Sequence, residues 1–379
     1  VNNAFLSWTA IDLLKKGHKT DIREEYAIIG GDESKRRGIV LAKSPLAKEK
    51  GIVTAETLYS ARTKCPGLKI FSPDYSLYSK MSKSLFNLLS KYTCDIEVAS
   101  IDECFLDYGK IKKLYGDEME FANTLKNRIK NELGFTVNIG IANNKLCAKM
   151  ASDFSKPNKI HTLYDYEIEN KMWPLHISKL YGIGKKTTDK LLNLNIKTIG
   201  DLAKSKKEDL FNTFKNQNEN LIKLANGINE DEVISEVSNT KCMSNTMTLL
   251  YDYEDIEEIN QELKKISNFL AKELRKESRY ANIVAVIIKD KNFKTNTHQI
   301  KLSNGTNTKE EIYSISKKLF KESWNKVPVR LIGIRLDSLV SNNNYQISLF
   351  DNLEKREKDE KLTKIVDKLK EKFGDKIIK

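Results

Sequence analysis

Two adjacent acids, Asp102 and Glu103, sit inside the largely apolar stretch VASIDECFLDY, residues 98–108. A strand that alternates its faces points such neighbours in opposite directions, and burying an unpaired carboxylate is expensive, so a cation is expected close by. Other acid pairs, such as Asp32-Glu33, Asp117-Glu118, Asp231-Glu232 and Glu257-Glu258, lie in polar surroundings and read as solvated turns or helix faces. The pair at 102–103 reads instead as a core strand that ends or kinks at a cleft. From spacing alone two readings stand side by side, a metal or catalytic site and a strand-end turn.

Other side chains narrow the chemistry. The five cysteines, Cys65, Cys94, Cys104, Cys147 and Cys242, are widely spread and form no CxxC pair, which points to neither a disulfide framework nor a zinc site. The four histidines, His18, His161, His176 and His298, form no HxxxH pair, which argues against a histidine-held metal or a Ser/His triad. Catalysis falls to carboxylates. Further along, YGIGKK places Gly182 and Gly184 before Lys185 and Lys186. Glycines there let backbone amides approach a phosphate and a helix N-terminus adds a favourable dipole; the alternative is an ordinary helix-connecting turn. In QISLF, residues 346–350, Leu349 and Phe350 are either an apolar anchor for a partner pocket or a chain end folded onto its own domain.

The elements that must position these residues follow from periodicity. A helix is expected up to about residue 20, then two short strands in EEYAIIGG and RRGIVLAKS, and a helix ended by Pro66-Gly67. In DYSLYSKMSKSLFNLLSKYT, Leu77, Met81, Leu85 and Leu88-Leu89 recur at helical spacing. The acidic strand comes next, followed by a helix over about 118–133 and the alternating strand FTVNIGIA. That layout is α+β or α/β around an acidic centre. NNKLCAKMASDFSKPNKI is a helix that Pro157 stops, carrying Lys145, Lys149 and Lys156. Residues 230–241 are polar and aperiodic and read as a linker, and ANIVAVIIKD and VRLIGIRLDSLV are strands of a further small α/β layer.

At 379 residues the chain has room for two to four domains, and its 40% hydrophobic content permits ordinary cores. No apolar run long enough to span a membrane and no signal peptide is present, so a cytoplasmic location and no membrane partner are expected. Sixty-five Lys+Arg against 52 Asp+Glu give a net charge of +13, which favours a polyanion such as nucleic acid, with a general lysine and asparagine bias as the competing explanation.

In this order the parts resemble the Y-family translesion DNA polymerases: a VNNAF start like the family's DVNNAF, the SIDE acids, NKLCAK with KPN, the helix-hairpin-helix and a terminal QxxLF clamp motif, together covering residues 1 to about 350. Within the family the chain looks nearer the bacterial polymerase V catalytic subunit, or a Gram-positive relative, than polymerase IV. The resemblance implies two Mg²⁺ ions held by Asp102, Glu103 and an upstream aspartate, with Asp102 and Glu103 catalytic. The chain starts at Val1, just after that aspartate's position; either the chain is truncated, which its non-methionine start and missing first strand favour, or the protein has lost the residue and is inactive, and on the first reading Val1 offers only a main-chain carbonyl to the metal. Phe5 matches the steric gate against a 2′-hydroxyl; otherwise it is a core phenylalanine. Lys48 and Lys156 match positions that contact the incoming triphosphate; otherwise they are surface lysines. Lys48 stands where many relatives have arginine, and Pro45 where several have tyrosine.

The implied architecture is an α+β multidomain right hand. Its parts are a palm at 1–163 with fingers inserted at about 20–74, a helical thumb at 164–229 containing the helix-hairpin-helix, the linker at 230–241, an α/β little finger at 242–340, and a tail at 341–379 with the clamp-binding motif. The implied partners are primer-template DNA, gripped at Gly182, Gly184, Lys185 and Lys186, dNTP, a sliding clamp through Gln346, Leu349 and Phe350, and accessory subunits, with nucleoid association when engaged. The implied activity is low-fidelity translesion synthesis in DNA damage tolerance. Its rivals are a non-catalytic relative that recruits other polymerases to the clamp, and a palm-type nucleotidyl cyclase, which would need neither the helix-hairpin-helix nor QISLF.

Overall fold

The computed structural model describes residues 1–236 and 240–341 and, beyond these, only 365–366, 369 and 372–374. It divides into two units, one of residues 1–32 and 38–237, the other of residues 33–37 and 238–379.

The first unit opens with α1 (Ala4–Lys15), β1 (Ala27–Gly30), β2 (Val40–Lys43), α2 (Pro45–Glu49), α3 (Leu58–Lys64), β3 (Lys69–Phe71) and α4 (Tyr75–Leu89). Next come β4 (Ile96–Val98), β5 (Cys104–Leu106), α5 (Lys112–Tyr115), α6 (Glu118–Leu133), β6 (Ile139–Ala142), α7 (Lys145–Asp153) and β7 (Ile160–Leu163). The unit closes with α8 (Lys185–Asn193), α9 (Ile199–Ala203), α10 (Lys207–Phe214) and α11 (Asn218–Ala225).

Side-chain caps set the starts of the helices that matter for the site. Asp74 accepts from the amides of Ser76 and Leu77 to start α4, Asp117 from those of Met119 and Glu120 to start α6, and Asn144 from that of Cys147 to start α7. Each such cap contributes about 1 kcal/mol. One core joins α1, α4 and α6, with Trp8, Tyr78, Leu85, Phe121, Leu125 and Phe135 packed together. A smaller core, including Ile28, Val40, Ile52 and Leu58, sits under the sheet of order β2-β1-β3, in which β1 pairs antiparallel with β2 and parallel with β3. A third core binds α7 to the helices that follow it, and Ile183, from the GIG turn, is one of its buried members.

The acid-bearing stretch kinks at the acids, and the kink is the connection of a hairpin. β4 and β5 form a two-stranded antiparallel hairpin in which Val98 faces Cys104, and Asp102 and Glu103 lie in the connection between them. The amides of Ala99 and Ser100 both donate to the Glu103 carbonyl, and the Ser100 hydroxyl donates to the Asp102 carboxylate at 3.0 Å, so a short polar turn replaces a continuous core strand. β6 and β7 form a separate parallel pair. Thus β5 and β6 are each paired on one side among the described residues, and residues from both line one cleft.

The second unit contains β8 (Cys242–Tyr253), α12 (Ile256–Lys276), β9 (Tyr280–Asp290), β10 (Thr295–Thr306), α13 (Lys309–Ser323) and β11 (Val329–Val340). Its antiparallel sheet has the order β10-β9-β11-β8, with Arg335 opposite both Ala285 and Ser244. α12 places Ile259, Leu263, Ile266, Leu270 and Leu274 along one face, none more than 2% exposed. Each of those burials is worth roughly 1.5–3 kcal/mol. β8 and β10 were not foreseen from sequence: residues 295–301 of β10 are all exposed, so no apolar alternation marks that edge strand.

Gly140 sets how closely β6 approaches α7. A Cβ built there would lie 1.9 Å from the Ala148 carbonyl oxygen and 2.6 Å from the Ser152 amide, both rigid backbone. Gly140→Ala is expected to destabilise the first unit by about 1–3 kcal/mol. Gly67→Ala, which meets nothing within 4 Å, is the neutral control. Calorimetric melting of the two variants checks the difference.

Candidate active site

The site is built around the hairpin connection. α7 starts at the Asn144 cap, and the i,i+4 spacing of Lys145 and Lys149 places both on the face turned to the hairpin. The Lys145 ammonium lies 2.9 and 3.1 Å from the two carboxylate oxygens of Glu97 on β4, and Glu97 also accepts from the Ile234 amide at 2.9 Å. The Lys149 ammonium donates to Glu103 at 2.7 Å and lies 3.2 Å from Asp153, which in turn meets Lys156 at 2.6 Å. Lys149 is 16% exposed and Glu103 42%, so this pair is partly shielded from water. Burial works against the Lys149 charge, but Glu103 and Asp153 outweigh it and hold the ammonium above the usual lysine range. Burial likewise pushes Asp153 up, and Lys156 and Lys149 overcome this to hold it below the usual carboxylate range. The cation demanded by the acid pair is therefore Lys149, which sequence reading placed on its helix without a role.

The turn that carries Lys156 is fixed by side-chain amides. Asn138, next to β6, uses all four of its hydrogen-bonding positions: it accepts from the Asn2 side chain and the Lys159 amide and donates to the carbonyls of Ser152 and Ser155. Asn2 also accepts from the Asn158 amide at 2.9 Å. The start of the chain, the end of α7 and the Lys156–Asn158 turn are thereby locked together. Alongside, the Val1 nitrogen donates to the Asp102 carbonyl at 2.9 Å.

These residues border a cleft of about 900 Å³ whose lining includes Val1, Asp102, Glu103, Lys149 and Lys156. A smaller pocket of about 260 Å³ adjoins it and takes in Val1, Phe5, Lys43, Thr54 and Asp102. The Phe5 ring is stacked on Tyr78, centroids 4.3 Å apart and 6° from parallel, with Tyr75 edge-on at 6.1 Å. Tyr78 is itself held by Thr9 at 3.0 Å, and the half-buried Phe5 both packs against the cores on either side and borders the pocket. Asp102, Glu103, Val1, Phe5 and Lys156 are thus brought together. Lys48 lies exposed on α2 and lines neither space. Gly182, Gly184, Lys185 and Lys186 line neither space and are all exposed at the start of α8; Gly182 has a φ of +88°, a conformation that favours glycine, and Gly184 caps the helix without a side chain. Gln346, Leu349 and Phe350 lie outside the described residues.

The donors around the acid pair suit a hard dication. Mg²⁺ takes oxygen ligands and needs only one or two carboxylates when substrate phosphates complete its shell. Among the described residues no three His, Cys, Asp or Glu are gathered closely enough to hold a metal ion by themselves. The nearby Cys104 thiol is pushed by burial up to about 11, which keeps it protonated and unsuited to metal. No helix among the described residues is long and apolar enough to cross a membrane.

Known proteins place this arrangement. The impB/mucB/samB family matches residues 11–153, its C-terminal domain residues 240–349, and its helix-hairpin-helix motif residues 166–196. DNA polymerase IV of Clostridium acetobutylicum is 45% identical over 380 residues, covering 100% of this chain and 95% of that protein. DNA polymerase IV of Oceanobacillus iheyensis is 34% identical, over 96% of this chain and 87% of its own length. Bacillus subtilis DNA polymerase IV 2 is also 34% identical, with 96% and 90% covered. These names replace the expected nearer kinship to polymerase V. Among solved structures, a Y-family DNA polymerase chimera of Dbh and Dpo4 superposes with a TM-score of 0.78, at 24% identity, over 89% of this chain and 97% of its own. The insertion ternary complex of Dbh DNA polymerase gives 0.60, with 90% and 98% covered at 24% identity, a likeness of fold. From motif order, fold and near full-length identity to these relatives, the chain belongs to the Y-family of DNA polymerases.

Proposed function

We propose that the cleft bearing Asp102 and Glu103 is where this DNA-directed DNA polymerase performs translesion synthesis, by template-directed, low-fidelity transfer of a nucleotide from dNTP to a primer 3′ end. The observation that carries this is the convergence of two hard carboxylates, the Lys149 and Lys156 cations and the Phe5 ring on two adjoining spaces. Both carboxylates are retained, which disfavours a purely recruiting role, and the C-terminal family domain at 240–349 has no use in a nucleotidyl cyclase.

Asp102 and Glu103, with the Val1 carbonyl, would hold the two Mg²⁺ ions, which when bound lower the pKa of the primer hydroxyl and neutralise the leaving pyrophosphate. The chain's own residues supply the rest. Lys149 holds the Glu103 carboxylate in place before substrate arrives. Lys156, and Lys48 from α2, offer ammonium groups to triphosphate charge as it develops. Phe5 closes the sugar's 2′ side. Gly182, Gly184, Lys185 and Lys186 present amides and cations to duplex phosphates, giving salt-dependent, sequence-independent grip.

On this reading residues 1–163 form the palm with fingers at about 20–74, 164–229 the thumb, 230–241 a linker and 242–340 the little finger. Gln346, Leu349 and Phe350 tether the enzyme to a sliding clamp, and the protein works in the bacterial cytoplasm on nucleoid DNA.

Three experiments test these roles. Asp102→Ala is expected to cut Mg²⁺-dependent extension of undamaged and abasic templates by about 10²-fold or more while leaving primer-template binding intact; extension at the unaltered rate would overturn the site. Phe5→Ala should raise ribonucleotide incorporation relative to deoxyribonucleotide, measured with competing substrates, and an unchanged ratio would remove the gate assignment. Leu349→Ala with Phe350→Ala should weaken retention on immobilised clamp and leave clamp-free extension unaltered; undiminished retention would rule out that motif.

A further inference from the structure

We propose that Lys43 is the principal cation of the smaller pocket and binds the polyphosphate of the incoming nucleotide there, ahead of the exposed Lys48. This rests on the polymerase reading above and names a contact that motif matching does not.

Lys43 ends β2, where its backbone is paired with Ile28 on β1. The next residue, Ser44, is fully buried, accepts from the Ala47 amide to start α2 and also accepts from the Ala27 amide. The side chain therefore leaves a backbone held on both flanks. Its ammonium donates to the Thr54 hydroxyl at 3.1 Å, and both residues line the pocket that Phe5 and Asp102 also border.

No carboxylate lies within 4 Å of Lys43 among the described residues, whereas Lys145, Lys149 and Lys156 each have one. Glu56, the acid that acts on Lys43 electrostatically, is already occupied by Lys64 at 2.6 Å, the Val53 amide at 2.7 Å and the Ser60 hydroxyl at 2.8 Å. Burial, with Lys48 adding to it, holds the Lys43 ammonium below the usual lysine range. A solvated strand-end lysine would have neither this enclosure nor a second cation beside it.

The pocket is positive on the Lys43 wall and negative on the Asp102 wall. A bare anion would be repelled by Asp102 and a bare dication by Lys43. A polyphosphate chelated to a dication satisfies both walls, with phosphate oxygens toward Lys43 and the metal end toward Asp102. At roughly 30 Å³ per water, the 260 Å³ pocket has the volume of about nine waters, room for phosphate groups.

The test is calorimetric binding of the complementary dNTP to the full chain on a dideoxy-terminated primer-template, with primer extension in parallel. Lys43→Ala is expected to weaken dNTP binding about 10- to 100-fold, the usual scale for losing a charge-assisted contact, and to raise KM more than it lowers kcat. Lys43→Arg should restore most of the affinity, Lys48→Ala should weaken it less than Lys43→Ala does, and Lys69→Ala, on β3 and lining neither space, should leave it unaltered. Unweakened binding by Lys43→Ala, or an equal loss in Lys48→Ala, overturns the proposal while leaving the polymerase assignment intact if the unaltered chain extends primers. A chain that carries the upstream aspartate and binds dNTP through Lys43 yet never extends would overturn the assignment and keep the contact. Absence of dNTP binding by the unaltered chain overturns the contact.

Discussion

Two carboxylates on consecutive residues repel one another, and the arrangement of the cleft answers that repulsion. Unit charges about 5 Å apart near a protein surface interact by about 3 kcal/mol, enough to protonate one partner or unfold a turn if nothing offsets it. Here the Ser100 hydroxyl is turned onto Asp102 and the Lys149 ammonium onto Glu103. Each acid thus has its own partner at the edge of the cleft. A dication entering this site would compete with Lys149 for Glu103. Asp153 offers that lysine a second carboxylate, so its charge need not be stranded when Glu103 is taken.

That solution depends on where α7 sits. The helix must lie close enough to the β4–β5 hairpin for Lys145 and Lys149 to reach it, and the absence of a side chain at Gly140 permits the approach. From the helix's far end, Asp153 and Lys156 carry the alternation of charge into the turn that Asn138 and Asn2 lock. The same few elements thereby set the cation for the acids, the lysine facing the substrate space and the backbone next to Asp102. Strength in this network comes from geometry rather than from any one ion pair, since a partly exposed pair contributes only modestly.

The two adjoining spaces divide the work by chemistry. The larger carries the acids and the α7 lysines. The smaller joins Asp102 to an aromatic wall and to the Lys43 ammonium, whose own neighbours leave it without a counterion among the described residues. On the proposed reading, recognition of a metal-bound polyphosphate would follow from that opposition of charge, and sugar discrimination from the Phe5 ring packed against Tyr78 and Tyr75.

Much of this was legible from residue order alone. Helical spacing marked α4, α6 and α7, Pro157 marked the end of α7, and the isolated acid pair within apolar neighbours marked the site, because periodicity, proline geometry and the cost of burying charge are local properties. Family membership was legible too, in motif order, although the relatives proved to be of the polymerase IV kind. What the chain order could not reveal depends on partners distant in sequence. That the kink at the acids is a hairpin connection was not foreseen, because nothing local announces that Ser100 bonds Asp102. β10 was missed because an exposed edge strand has no apolar face to alternate. Lys149 and Lys43 were passed over because a lysine acquires a role only from the carboxylate it meets or fails to meet, and those carboxylates lie on other elements. Sequence by itself determined which residue types were available, on which helices, and that an acid pair needed a cation; tertiary structure alone decided which cation answers it and which is left facing the pocket, because charge pairing is set by distance through space and not along the chain.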